Sequence, residues 1–162
     1  LNLFIGISKS RSVYKGTDIM LRAAETVKKQ YPDHLNLTVV NGLPFDEYVR
    51  TMLGSDAIMD QLYSYTPSMN PLEAMAHGII CIGGGEPENY KIINETTLRP
   101  IINVLPTYES CVSELTYLIN NLSLIPHLRR ESYEYVSKHH DYIKVARQYE
   151  ELYRGLLREK EY

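Results

Sequence analysis

Three features of the 162-residue chain predict an α/β fold, a Rossmann-like parallel sheet with helices on both faces and a helical C-terminal tail. Short apolar runs alternate with helix-periodic segments. Several of those runs are apolar at consecutive positions, as strands covered on both faces must be. From Tyr108 onward only helical periodicity remains.

The elements follow in order. Leu1 to Ile7 is an apolar run ended by the polar "SKSRS", hence a strand. Ile19, Met20, Ala23, Ala24 and Val27 then recur at helical spacing, with Thr17 or Asp18 as expected N-cap and Pro32 just past the end. "LNLTVVN" (Leu35–Asn41) is β-branched and reads as a second strand. Pro44 sits in the first turn of a helix reaching about Leu53. "DAIMDQL" (Asp56–Leu62) is a third strand, "NPLEAMAHG" a helix closed by Gly78, and "IICIG" a fourth strand. The loop "GGEPENY" leads to a fifth strand at Pro100–Leu105. Three helices are expected at Tyr108–Leu122, Ile125–Lys138 and Asp141–Arg158. The last is tyrosine-rich, with Ile143, Val145, Ala146, Tyr149, Leu152, Tyr153, Leu156 and Leu157 on its apolar side. One domain is therefore expected over 1–162, an α/β core to about residue 122 and C-terminal helices from 123. The chain starts at Leu1, directly in a strand, and so reads as a domain cut from a longer protein.

Composition narrows the function classes. A formal net charge of −3 gives no whole-domain basic field for nucleic acid. No apolar run approaches a membrane span. Cys81 and Cys111 have neither zinc nor redox spacing and read as buried hydrophobes of a cytoplasmic protein.

In such sheets ligands bind outside the carboxyl ends of the strands. The loops that matter are thus Ser8–Gly16, Asn41–Pro44, Gln61–Pro71 and Gly83–Tyr90. The first offers Lys9, Arg11 and Lys15 beside a helix start, either an anion site or a solvated basic loop. It lacks a Walker sequence, and a receiver-type domain would need acids there. Gly83, Gly84 and Gly85 do not complete a dinucleotide fingerprint, because position 88 is Glu88. They allow either close backbone approach or a flexible connector. Asn70, Pro71 and Glu73 fit N-cap, N1 and N3 of a capping box. Glu73 could equally accept two hydroxyl hydrogens of a ribose, while Ser68, Met69 and Asn70 aim backbone N–H groups at a diphosphate. Asp60 ends a strand on the same edge and reads as a loop cap. His139-His140-Asp141 is discounted as a metal or catalytic cluster, because adjacent helical residues point different ways.

"YKGTDIMLRA", "SDAIMDQLYSYTPSMNPLEAMAHGIICIGGG" and the tail "YVSKHHDYIKVARQYEELYRGLL" resemble the C-terminal, donor-binding domain of a family 4 glycosyltransferase of GT-B fold. The resemblance spans nearly the whole chain; "LEAMAHG" and the Lys-Gly before the first helix are its most specific parts. It implies retaining, metal-independent transfer from a nucleotide-diphosphate sugar, without a cofactor, in glycan or cell-surface polysaccharide synthesis. It implies Lys15 and Arg11 on the donor diphosphate and Glu73 on the ribose. Ser68, Met69 and Asn70 would face phosphate and sugar, and Gly42 and Leu43, after Asn41, the base. It further implies a separate N-terminal acceptor domain and allows peripheral membrane association of the full-length enzyme. Two departures stand out. The first glutamate of the family's E-x7-E motif is replaced by Tyr65, and the usual Gly-Phe-Gly within it is absent. One strand–helix unit is also missing between Tyr31 and Pro44. A non-catalytic nucleotide-sugar module, and an epimerase or phosphorylase half, are the alternatives.

Overall fold

A computed structural model describes residues 1–8 and 12–158. Five strands, β1 (Asn2–Ile7), β2 (Asn36–Asn41), β3 (Ala57–Met59), β4 (Ile80–Gly83) and β5 (Ile102–Asn103), form one sheet of order β2-β1-β3-β4-β5. Every pairing is parallel, with Leu3 opposite Leu37 and Ala57, and Ile58 opposite Cys81. The helices are α1 (Ser12–Lys15), α2 (Thr17–Gln30), α3 (Phe45–Met52), α4 (Met69–Ala76), α5 (Pro87–Ile92), α6 (Tyr108–Asn120), α7 (Ile125–His139) and α8 (Tyr142–Arg158).

The consecutive apolar positions have the expected cause. Leu3, Ile5, Ala57, Met59, Ile80 and Ile82 join one core with α2 and α6. The intervening Phe4 and Ile58 pack the other way, with Met52 of α3 and Ala74 of α4. Cys81 turns to Met75, Tyr90 and Tyr135 beneath α4, α5 and α7. Both faces of the sheet are therefore buried, and period-2 polarity is lost. Cys81 and Cys111 are buried unpaired thiols, as expected; burial pushes Cys111 up to about 11.

Helix α4 closes with Gly78 at φ 69; Gly78 N–H donates to Met75 O and Ile79 N–H to Ala74 O, a Schellman pair. The triple glycine serves close approach. A Cβ on Gly84 would lie 1.6 Å from Ser64 O, and one on Gly85 2.7 Å from Ile101 Cγ2. Gly85 N–H also donates to Asn103 Oδ1 at 2.9 Å. The segment is thus clamped between the loop after β3 and the start of β5 rather than a loose connector.

Several boundaries differ from expectation. β3 covers three residues and β5 two: β3 leaves the sheet after Met59 although β1 and β4 run on to Ile7 and Gly83, and β5 pairs only with Ile82 and Gly83. The basic loop after β1 contains the helical turn α1, and the N-cap of α2 is Gly16 at φ 71, with Thr17 the first helical residue. Residues 87–92, assigned to a loop, form α5 with Pro87 in its first turn. The three C-terminal helices stand within two residues of their expected ends. None of the helices among the described residues is long and apolar enough to cross a membrane.

Candidate functional site

Strand order 2-1-3-4-5 places the topological switch between β1 and β3, where successive connections leave the sheet on opposite sides. Asp60, one residue beyond β3, stands at that point and is 3 % exposed. Its Oδ1 accepts Lys15 Nζ at 2.7 Å and Asn70 Nδ2 at 2.9 Å; its Oδ2 accepts Ser68 Oγ at 2.8 Å. Asn70 Nδ2 also donates to Tyr48 Oη at 2.8 Å. Tyr48 of α3 packs edge-on against Phe4 and over Gly6, where a Cβ would stand 2.4 Å from its Oη. Burial pushes the Tyr48 phenol up to about 12, opposed by the Asn70 bond and aided by the Asp60 charge. The exits of β1 and β3, the mouth of α4 and the side of α3 thus meet on one buried carboxylate.

That arrangement revises the reading of α4. Its N-cap is Ser68, which makes no side-chain cap bond, so the capping box of Asn70 and Glu73 does not form. A buried carboxylate needs donors more than an exposed helix end needs a cap, so Asn70 turns to Asp60. Asp60, read as a loop cap, is the centre of the cluster. Glu73 lies further along α4, half exposed, with Oε1 3.4 Å from His77 Nε2. It lines a cavity of about 390 Å³ with Met69, Leu72, Val136, His140 and Tyr142. Its recorded partner is His77, not a member of the Asp60 cluster.

The other expected site residues divide similarly. Lys15 is in the cluster, 18 % exposed. Arg11, with Lys9, lies outside the described residues. Ser68 and Asn70 are in the cluster through their side chains, while Met69 is 80 % exposed on the surface of α4. Gly42, at φ 68 with open space where a Cβ would be, and Leu43 are exposed on the loop after β2. Tyr65, 71 % exposed, borders a second cavity of about 480 Å³ with Leu62, Tyr63, Ser64, Glu86, Leu105 and Pro106. These residues follow β3, β4 and β5, so the cavity opens on the same edge. Leu62 N–H donates to Lys15 O at 2.9 Å, which ties one wall of the cavity to the backbone of the lysine.

A second buried carboxylate, Glu95, lies between α5 and β5. Its Oε1 accepts Thr97 N–H at 2.7 Å, Thr97 Oγ1 at 2.9 Å and Leu98 N–H at 3.0 Å. Its Oε2 meets Lys138 Nζ at 2.7 Å and His139 Nε2 at 2.6 Å. Burial would raise its pKa, but these hydrogen bonds together hold it well below the usual carboxylate range. His139 thus serves Glu95, His140 packs at a tilt of 44° against Tyr135 with ring centroids 5.5 Å apart, and Asp141 accepts Lys144 N–H at 3.0 Å. Helical geometry does not set these directions, because α7 ends at His139 and leaves His140 and Asp141 between helices; both imidazoles pack against Tyr135, while Asp141 turns to α8. Among the described residues no group of three or more His, Cys, Asp or Glu is placed to hold a metal.

Sequence reasoning missed Tyr48, Glu86 and Glu95. Tyr48 carried no motif. Glu86 had only its place in a loop after a strand. No protein-family model and no curated protein sequence matches the chain.

Proposed function

We propose that the chain is the donor-binding half of a glycosyltransferase, taking a nucleotide-diphosphate sugar at the carboxyl edge of its sheet. The observation that carries this reading is the Lys15–Asp60 pair at the switch between β1 and β3, beside the N-terminus of α4. An ammonium has three donors. Asp60 takes one and aims the group, leaving the others for an anion in the crevice. Backbone N–H groups of the first turn of α4, at Met69 and Asn70, add partial positive charge at the same place; Pro71, which has no N–H, adds none. A leaving diphosphate gains negative charge as the glycosidic bond breaks, and donors already in position stabilise it without reorganising. Glu73 would accept ribose hydroxyls through the oxygen turned from His77, and Gly42 and Leu43 would border the base.

Retention of configuration, metal independence, an acceptor-binding partner domain, peripheral membrane association and a cytoplasmic location belong to the same proposal through the resemblance. A non-catalytic nucleotide-sugar module is the second reading, favoured by Tyr65 in place of the motif glutamate.

Titration calorimetry of the chain with UDP, GDP and ADP tests the donor site. Binding of at least one is expected, weakened about tenfold by Lys15→Ala, the loss of one charge-assisted contact. No heat at millimolar nucleotide overturns both readings. Transfer assays on a protein that also carries an acceptor domain separate the first from the second.

A further inference from the structure

The cavity tied through Leu62 to the Lys15 backbone has walls of unlike character. Leu62, Leu105 and Pro106 are apolar, and Tyr63 and Tyr65 add aromatic rings, 56 % and 71 % exposed. One charged group, Glu86, borders it. Glu86 is half-buried, and among the described residues its carboxylate makes no hydrogen bond or ion pair. Its own N–H donates to Tyr65 O at 3.3 Å, so the two residues are neighbours across the loops after β3 and β4. Gly84 makes that possible, since any side chain there would strike Ser64 O.

We infer that Glu86 is a specificity-determining residue, supplying to a neutral sugar ring the carboxylate that position 65 does not provide. The inference rests on the donor-site reading. A pyranose has one C–H-rich face and hydroxyls around its rim. Tyrosine rings and aliphatic side chains suit the first, and an unpaired carboxylate accepts from the second with charge-assisted bonds. A half-buried carboxylate without a partner also repels an acidic sugar, because like charges at short range in a poorly hydrated site are unfavourable. The ligand class is therefore a neutral hexose on a nucleoside diphosphate, with uronic acids excluded.

Calorimetry on wild type, Glu86→Gln, and Tyr65→Glu combined with Glu86→Gln tests this. The probes are UDP, GDP and ADP, their conjugates UDP-glucose, GDP-mannose and ADP-glucose, and UDP-glucuronic acid. The quantity read is the affinity of each conjugate relative to its bare nucleotide. In E86Q that ratio is expected to fall about tenfold for the neutral sugar, as one charge-assisted bond is lost. Discrimination against glucuronic acid is expected to collapse, and the added Tyr65→Glu to restore part of the ratio. Thermal melts show whether the isosteric Gln leaves the fold intact. Bare nucleotide binding with an unchanged ratio in E86Q overturns the role of Glu86 and leaves the donor site standing. Failure of every nucleotide and conjugate to bind overturns both.

Discussion

Asp60 and Glu95 are both almost fully buried, and both accept a lysine at 2.7 Å. They differ in what surrounds them. Glu95 has five donors from its own loop and from the end of α7, which account for both oxygens. Asp60 has three, each a side chain on a segment bordering the open carboxyl edge. A buried charge with complete local solvation is a rivet. One held by side chains at a crevice positions groups that a ligand can also use. Similar chemistry thus sits in two surroundings, a closed loop at Glu95 and an open sheet edge at Asp60 where the proposed donor would bind.

The contrast breaks most visibly at Glu95. Glu95→Ala leaves two backbone N–H groups and Lys138 without their acceptor, and is expected to destabilise the chain by about 3 kcal/mol in urea unfolding, with little effect on nucleotide affinity. Asp60→Ala is expected to cost about 2 kcal/mol, because Lys15 can turn to water, yet to weaken nucleotide binding more than any change at Glu95. An equal effect of both variants on binding would erase the distinction.

Acid sharpens it. The Glu95 carboxyl is depressed in the folded chain, so its contribution is complete above the unfolded carboxylate value near ~4.3 and is lost as pH falls below it. His140 is lowered by burial and by the His139 charge. Its neutral form is favoured by folding, so stability also declines as pH falls below about 6.5. Unfolding midpoints are expected to drop gently from pH 7 to 5 and steeply below 4.5, and Glu95→Gln to flatten the steep limb. The smallest effect belongs to the exposed Glu150–Arg154 pair of α8. Arg154→Ala is expected to change stability by less than about 0.5 kcal/mol.

The fold was legible where local signals and tertiary packing agree. Helix α6 follows the Thr107 cap, α7 carries Pro126 in its first turn, α8 follows the Asp141 cap, and each carries a continuous periodic stripe. The short β3 and β5 were not, because apolar residues beyond a strand end look the same as those within it. The site was legible as a set of loops and as Lys15. It was not legible at Asn70, whose capping signal is genuine but loses to a buried acid ten residues away. Nor was it at Glu95, whose lysine and histidine lie 43 and 44 residues downstream. Pairings at that range leave no periodic trace.

Helix α8 has seventeen residues and buries none of them. A helix of that length in water, lacking tertiary support, is only marginally stable. Its amides should therefore exchange with deuterium far sooner than those of β1 and β3, through local opening that leaves the sheet undisturbed. Calorimetric unfolding of the chain would then report the cooperative melting of roughly its first 140 residues. Circular dichroism, which also counts the helix, would show a sloping baseline ahead of that transition.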